Sequence, residues 1–580
     1  MLNTMPVTRM QGASLTERTC SFRVWAPNAK QVALRLVGQR DLPMHPEPDG
    51  NFLITADAAA GGRYFYLVDG QPPVPDPVSR LLPEGVHGPT EIVDPASFEW
   101  IDDDWRGVEL RDAIIYELHV GTFTAQGTFD GAIERLEYLR RLGVTMVELM
   151  PVAAFPGTRN WGYDGVSPYA VQASYGGPNG LKRLVNAAHM AGLGVILDVV
   201  YNHLGHEGNY LRWFGPYFTH RHQTPWGDAI NYDGEGCEGV RRYFMENALY
   251  WVREYHLDGL RLDAVQTIHD DSPRHILAEI QDEVQTLARE GGRRVLVIAE
   301  SDENDAKLVR PQTANGLGLD AQWSDDFHHS VHAFLTGERH RYYQDFGRPE
   351  QIVRALEQGF VFQGEPFKFW GKPRGSPAAE VPLAQHIICL QNHDQVGNRA
   401  QGERLASLLS PGALKAAAAL LLLAPETPLL FMGEEYGEVR PFQYFTSYSD
   451  PQLAQAVRQG RKNEFKDFTG VDVPDPQDPK TFERSKLDWG SANGQNAMLR
   501  WYQQLMDLRK TYVSRSLRTC KAELLEGGVI KMHLPAEEPE ICVLASLTRD
   551  TLLPGLESSW SLRLKSAEDG FEVCVYLRSK

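Results

Sequence analysis

The sequence lacks the features that would tie it to a metal, a phosphate, a membrane or a nucleic acid. Its six cysteines, Cys20, Cys237, Cys389, Cys520, Cys542 and Cys574, form no CxxC pair and no cluster with histidine, so a zinc site is not expected. Cys389 sits in the apolar run 387–390 and reads as a small core residue. No glycine-rich phosphate loop follows a strand-like run, and no acidic calcium loop is present. The first twenty residues lack the apolar segment of a signal peptide. The apolar stretch 416–424 stops at Pro425, too short to span a bilayer. Positive charge is in deficit. Lys and Arg number 58 against 76 Asp and Glu, a formal net charge of -18, which repels nucleic acid and anionic lipid. These absences predict no cofactor and no metal. They predict a cytoplasmic protein with reduced thiols, and an uncharged partner rather than a membrane or a nucleic acid.

The chain has 580 residues, room for a large domain and smaller ones beside it. Residues 1–105 alternate short β-type runs (21–25, 32–36, 64–68) with turns such as Pro27-Asn28, Asp49-Gly50 and Gly61-Gly62. That pattern predicts a small β-sandwich. A proline-rich link covers 72–95. From 106 to 514 the texture becomes alternating strands and helices. Eight strand candidates lie at 113–116, 145–149, 195–199, 259–262, 295–299, 319–323, 384–390 and 428–431, with helical stretches such as 180–191 and 240–255 between most of them. Eight βα repeats predict a closed parallel (β/α)8 barrel. An open doubly wound sheet would need a phosphate loop to support it. Residues 465–495 read as an irregular surface connection, and short strands return in 515–580 as a small C-terminal β-domain.

Four segments end apolar runs with carboxylates: Asp198-Val-Val-Tyr-Asn-His203, Gly259-Leu-Arg-Leu-Asp263, Val297-Ile-Ala-Glu300 and Gln391-Asn-His-Asp394. A parallel barrel builds its active site just past its strands, and two carboxylates flanking one bond are the minimum equipment for breaking a glycosidic linkage. Strand alternation puts Arg261 and Asp263 on one side, and a guanidinium favours the ionised carboxylate that a nucleophile needs. Asp263 is therefore the expected nucleophile. Arg261 holds it and is counted among the groups around the sugar. Glu300, at the rim of an apolar strand, suits a general acid with a raised pKa. Asp394 is expected to bind sugar hydroxyls and to stabilise positive charge at the anomeric carbon. His203 and His393 are candidate hydroxyl donors, and Gln395 and Asn398 join the expected contacts. Asp198 and Asn202 are expected to order Arg261 and the neighbouring loops. Tyr163 follows strand two and could stack on a sugar face.

These residues match the four signature regions of the α-amylase superfamily, the retaining glycoside hydrolases of family 13, at every catalytic position. Within it the chain most resembles the maltooligosyltrehalose trehalohydrolase family. The resemblance rests on Pro75-Asp-Pro…Arg80…Pro83-Glu-Gly-Val-His-Gly-Pro89, Gln322-Trp-Ser-Asp-Asp-Phe-His-His329, Pro441-Phe-Gln-Tyr-Phe-Thr446 and Arg458-Gln-Gly-Arg-Lys-Asn-Glu-Phe465. It implies hydrolysis of the α-1,4 bond beside the terminal trehalose unit of a maltooligosyltrehalose, downstream of a maltooligosyltrehalose synthase. It also implies that Trp226 lines the leaving-group side. Asp325, Asp326, His328, His329, Phe369 and Trp370 are expected to complete the sugar contacts. Gln266 stands where a histidine is common after Arg-x-Asp, and Trp370 where an arginine is expected. A glycogen branching or debranching enzyme would share the catalytic residues. A non-enzymatic glucan-binding protein would not need all three carboxylates together with Arg261 and both histidines.

Overall fold

The computed structural model describes residues 11–16, 19–466, 473–513, 519–535 and 539–578. Two four-stranded antiparallel sheets come first. One runs Gly12–Leu15, Cys20–Trp25, Asn51–Ala56, His45–Pro46, and the other Leu42–Pro43, Val32–Leu36, Arg63–Val68, Thr90–Glu91. Alternation decides their inner faces. Phe22, Val24, Leu34, Tyr64 and Tyr66 are buried in one apolar cluster, as the period of two requires.

Eight parallel strands then close into a barrel: Ile115–Leu118, Met146–Leu149, Gly194–Val199, Gly259–Leu262, Leu296–Ala299, Ala321–Trp323, His386–Cys389 and Thr427–Phe431. Each falls on one of the eight predicted segments, and strand eight pairs with strand one. The strands are buried along their whole length because helices cover the outside and side chains fill the inside. The amphipathic helices Gly177–Met190, Cys237–Glu254 and Ile276–Glu290 follow strands two to four.

A five-stranded antiparallel sheet closes the chain, in the order Lys521–Leu525, Val529–Leu534, Glu540–Ser546, Phe571–Arg578, Ser561–Glu568. It packs on the helix Pro411–Leu423, whose other side meets the helix Ala497–Leu508. Burial on nearly every side explains why that helix is apolar all round. Among the described residues no helix is long and apolar enough to cross a membrane. The connection expected at 465–495 carries one short helix, Pro479–Arg484; its residues 467–472, and the domain boundary expected at 514–515, lie outside the described residues.

Candidate active site

The carboxylates converge because each ends a neighbouring strand. Asp263 follows strand four, and Glu300 follows strand five. Arg261, inside strand four and wholly buried, gives Nη1 hydrogen bonds to Asp198 (2.7 Å) and Asp263 (2.8 Å), and its Nη2 lies 3.5 Å from Glu300. One guanidinium therefore touches both carboxylates that flank the expected reaction centre. The Trp323 ring packs against the same guanidinium, 4.4 Å from it. Asn202 donates from Nδ2 to Asp263 Oδ2 (2.8 Å) and to the Asp263 backbone carbonyl (2.6 Å). The chain then turns sharply. Ala264 has φ 41°, a left-handed conformation uncommon for alanine, and its N–H points at Glu300 Oε2 at 2.6 Å.

Burial pushes the Glu300 carboxyl up to about 8. Arg261 pulls against that rise, and the charges of Asp263 and Asp394 add to it. Asp198 is raised to about 6 by burial, with Arg261 opposing. The Tyr163 hydroxyl donates to Asp198 Oδ2 at 2.6 Å and lies 2.8 Å from His393 Nε2. Asn392 caps the short helix His393–Gly397 by accepting from the Gln395 N–H. That cap sets Asp394 at the mouth, with its side chain 43% exposed and Asn398 donating to Oδ1 at 3.2 Å.

An open cavity lies against these groups, lined by Glu300, Asp394, Gln266, Asp325, His329, Phe369, Trp370, Gln395 and Asn398, all anticipated. Gln266 Oε1 and His329 Nδ1 are buried there without a hydrogen-bond partner. Tyr163, Asp198, Asn202, His203, Arg261, Asp263 and His393 form a bonded layer beneath and beside it. Trp226, at the tip of the hairpin Phe218–Thr224 and Gly227–Ile230, stacks on His203 with ring centroids 4.1 Å apart. Its other face is open, with the residue 40% exposed.

Three expectations need correction. Asp326 does not face the cavity: it is fully buried and accepts from Arg374 Nη1 (2.8 Å), Asn304 and the Val361 and Phe362 N–H groups. His328 spends Nδ1 on the Leu390 carbonyl and Nε2 on the Tyr343 hydroxyl. The reason is helical phase. Asp325 and His329 are four apart on the helix Asp325–Thr336 and share the cavity face, while residues 326 and 328 fall to either side. Arg261 lies under the carboxylates rather than against the sugar. His203 already points its two ring nitrogens at Asn202 Oδ1 and the Tyr163 carbonyl, so a sugar hydroxyl would have to displace one of them.

The cavity also has walls that were not anticipated: Asp302, Tyr342, Phe367 and Arg374. Arg374 lies 5.5 Å over the Trp370 ring. A guanidinium thus stands beside the position where an arginine was expected, supplied by the strand Lys372–Arg374. Beneath the site, Glu117 and Glu148 sit buried at the ends of strands one and two. Glu117 directly follows the apolar run 113–116, as Glu300 follows its own, whereas Glu148 lies inside the run 145–149. Among the described residues, His222, Asp233 and Asp271 bring three ligand-type atoms within 4.8 Å of one another. Arg221 pairs with both aspartates, at 3.4 and 2.8 Å, and so offsets part of their charge.

Comparison with known proteins agrees with this geometry. Residues 93–223 match the family model of the alpha amylase catalytic domain. A solved structure described as a putative alpha amylase from Salmonella typhimurium superposes with TM-score 0.90 at 40% identity, covering 98% of this chain and 99% of that one. A pullulanase from Anoxybacillus sp. LM18-11, solved with maltotetraose, shares the fold at TM-score 0.72 and 21% identity, over 98% of this chain and 87% of that one. The fold and the site therefore define a barrel of the α-amylase class. A malto-oligosyltrehalose trehalohydrolase of Saccharolobus solfataricus is 48% identical over 86% of this chain and 87% of its own length. One from Arthrobacter ramosus is 49% identical over 84% and 87%. The chain belongs to the malto-oligosyltrehalose trehalohydrolase family.

Proposed function

We propose that the protein is a retaining glycoside hydrolase that cleaves the α-1,4-glucosidic bond next to the terminal trehalose unit of maltooligosyltrehalose. The products are trehalose and a shortened maltooligosaccharide. The observation that carries the chemistry is Arg261 touching both Asp263 and Glu300. Two carboxyls on one guanidinium are near neighbours, and the retaining reading requires them ~5–5.5 Å apart. Asp263 attacks the anomeric carbon. Glu300 delivers its proton to the departing oxygen, and Asp394 stabilises the positive charge that develops. Water, deprotonated by Glu300, then hydrolyses the glycosyl ester on Asp263 with net retention. The substrate must come from an enzyme that rearranges the reducing end of a maltooligosaccharide into a trehalose unit. Six unpaired cysteines support a cytoplasmic setting.

Incubation with maltotriosyltrehalose followed by sugar analysis tests the reading. Equimolar trehalose and maltotriose are expected. A branching enzyme would yield new branch points and no trehalose. The branching enzyme GlgB of Mycobacterium tuberculosis is 28% identical over 72% of this chain, well below the trehalohydrolases.

Choice of leaving group falls to the loops beyond the shared carboxylates. An aromatic face plus a few hydroxyl contacts supplies ~1–3 kcal/mol of discrimination, about 10–200-fold. Trp226→Ala is therefore expected to lower the ratio of trehalose release to ordinary maltooligosaccharide cleavage within that range. A uniform fall in both activities at an unchanged ratio would make Trp226 a packing residue for His203 only.

A further inference from the structure

The hydrogen bonds around His393 favour one protonation state when donors are counted. Nδ1 meets Glu117 Oε1, and the His393 backbone N–H donates to Glu117 Oε2 at 3.0 Å. Nε2 meets the Tyr163 oxygen at 2.8 Å and lies 3.5 Å from Asp394 Oδ1. A phenol has one proton, and Tyr163 gives it to Asp198. Toward Nε2 the phenol oxygen can then only accept, so Nε2 carries a proton. Nδ1, facing a carboxylate, carries one too. His393 is a cation clamped between Glu117 below and Asp394 above.

The partner of Glu117 supports the same assignment. In the parallel pairing of strands one and two, Glu117 stands directly opposite Glu148. Both are buried, yet neither oxygen of Glu148 has a hydrogen-bond partner. Two adjacent buried carboxyls do not both ionise. Glu117 is the one that meets donors, from His393, while burial first and Glu117 second push the Glu148 carboxyl up. The charged and titratable groups facing His393 are Glu117, Glu148, Tyr163, Asp198, Arg261, Asp394 and, more distantly, His119. Burial opposes the His393 cation. Asp394 and Glu117 outweigh it and Arg261 together and raise the imidazolium to about 9.

We propose that Glu117 is a positioning residue for this reaction: it holds His393 doubly protonated, with Nε2–H aimed at the Tyr163–Asp394 side of the site. The fixed cation orients Asp394 toward the place where positive charge develops on the sugar, and Glu117 balances that cation so that it adds little net repulsion. The proposal rests on the catalytic reading above, and the NMR arm of its test does not require the substrate.

Histidine-selective ¹⁵N NMR on the full-length protein, with the His393 resonance assigned by its loss in His393→Gln, is expected to show an imidazolium at pH 7.5. In Glu117→Gln the side-chain amide faces Nδ1, the ring becomes neutral at that pH, and kcat falls about 10–100-fold with a smaller change in KM. Glu117→Asp is expected to restore part of both signals. Glu148→Gln, which mimics a neutral acid, is expected to leave the imidazolium in place. A neutral His393 in the wild-type protein overturns the proposal, even if Glu117→Gln does not fold. So does an imidazolium, or a wild-type kcat, that persists in a folded Glu117→Gln. Failure to release trehalose would overturn the functional reading and leave the NMR result standing.

Discussion

Asp263→Asn is expected to lower kcat/KM on the order of 10⁴–10⁶-fold, the range seen when a nucleophile or its immediate partner is removed. The substitution preserves shape, so the hydrogen bond from Asn202 and the packing under strand four should survive. What disappears is the negative oxygen that attacks carbon. Arg261 would keep Asp198 and Glu300 as partners, and substrate binding should change far less than turnover. In the wild-type protein, ¹H NMR of the first turnovers should show the α-anomer of the new reducing end, with the β form appearing only by mutarotation. The β-anomer appearing first, or near-normal activity in Asp263→Asn, would remove Asp263 from the nucleophile role.

Glu300→Gln is expected to cost roughly 10²–10⁴-fold on the natural linkage, the worth of general acid catalysis. A substrate with a leaving group that departs without a proton, such as a maltosyl fluoride, should be much less impaired in forming the glycosyl ester. The sign of the pH effect follows from the role. Glu300 must be protonated to act, and burial raises its carboxyl to about 8. Wild-type activity should therefore fall as pH rises through that region, and this basic limb should be absent from the ester-forming step of the variant. Equal damage on both substrates would argue that Glu300 shapes the site without donating a proton.

The parts of this molecule that were legible from sequence are those set by local pattern. Apolar runs of four to seven residues, most of them separated by helical stretches, gave all eight barrel strands, and a carboxylate at a strand end gave Asp263 and Glu300 their shared mouth. Where two residue types compete within one helical turn, local pattern is silent. Asp325-Asp-Phe-His-His329 offers four polar side chains, and only the helix phase, fixed by where strand six ends, sends residues 325 and 329 to the cavity and residues 326 and 328 away from it. Arg374 was out of reach for a different reason. It reaches Trp370 and Asp326 through a hairpin whose position depends on tertiary packing. Glu117 ends its apolar run as the other acids do, but Glu148 lies inside one, and their pairing across strands is not revealed by one strand read alone.

The contact of Arg261 with both Asp263 and Glu300 has a consequence for the second half of the reaction. In the resting site the charge on Asp263 pushes the Glu300 carboxyl up, while Arg261 draws it down. On the proposed mechanism, ester formation removes the charge of Asp263, and burial, Asp394 and Asp325 alone then oppose the pull of the guanidinium on Glu300. Glu300 is thus a weak acid while it still holds its proton and a comfortable anion once it has given the proton away. It can wait, ionised, for the incoming water and then take up a proton as the ester breaks and Asp263 regains its charge.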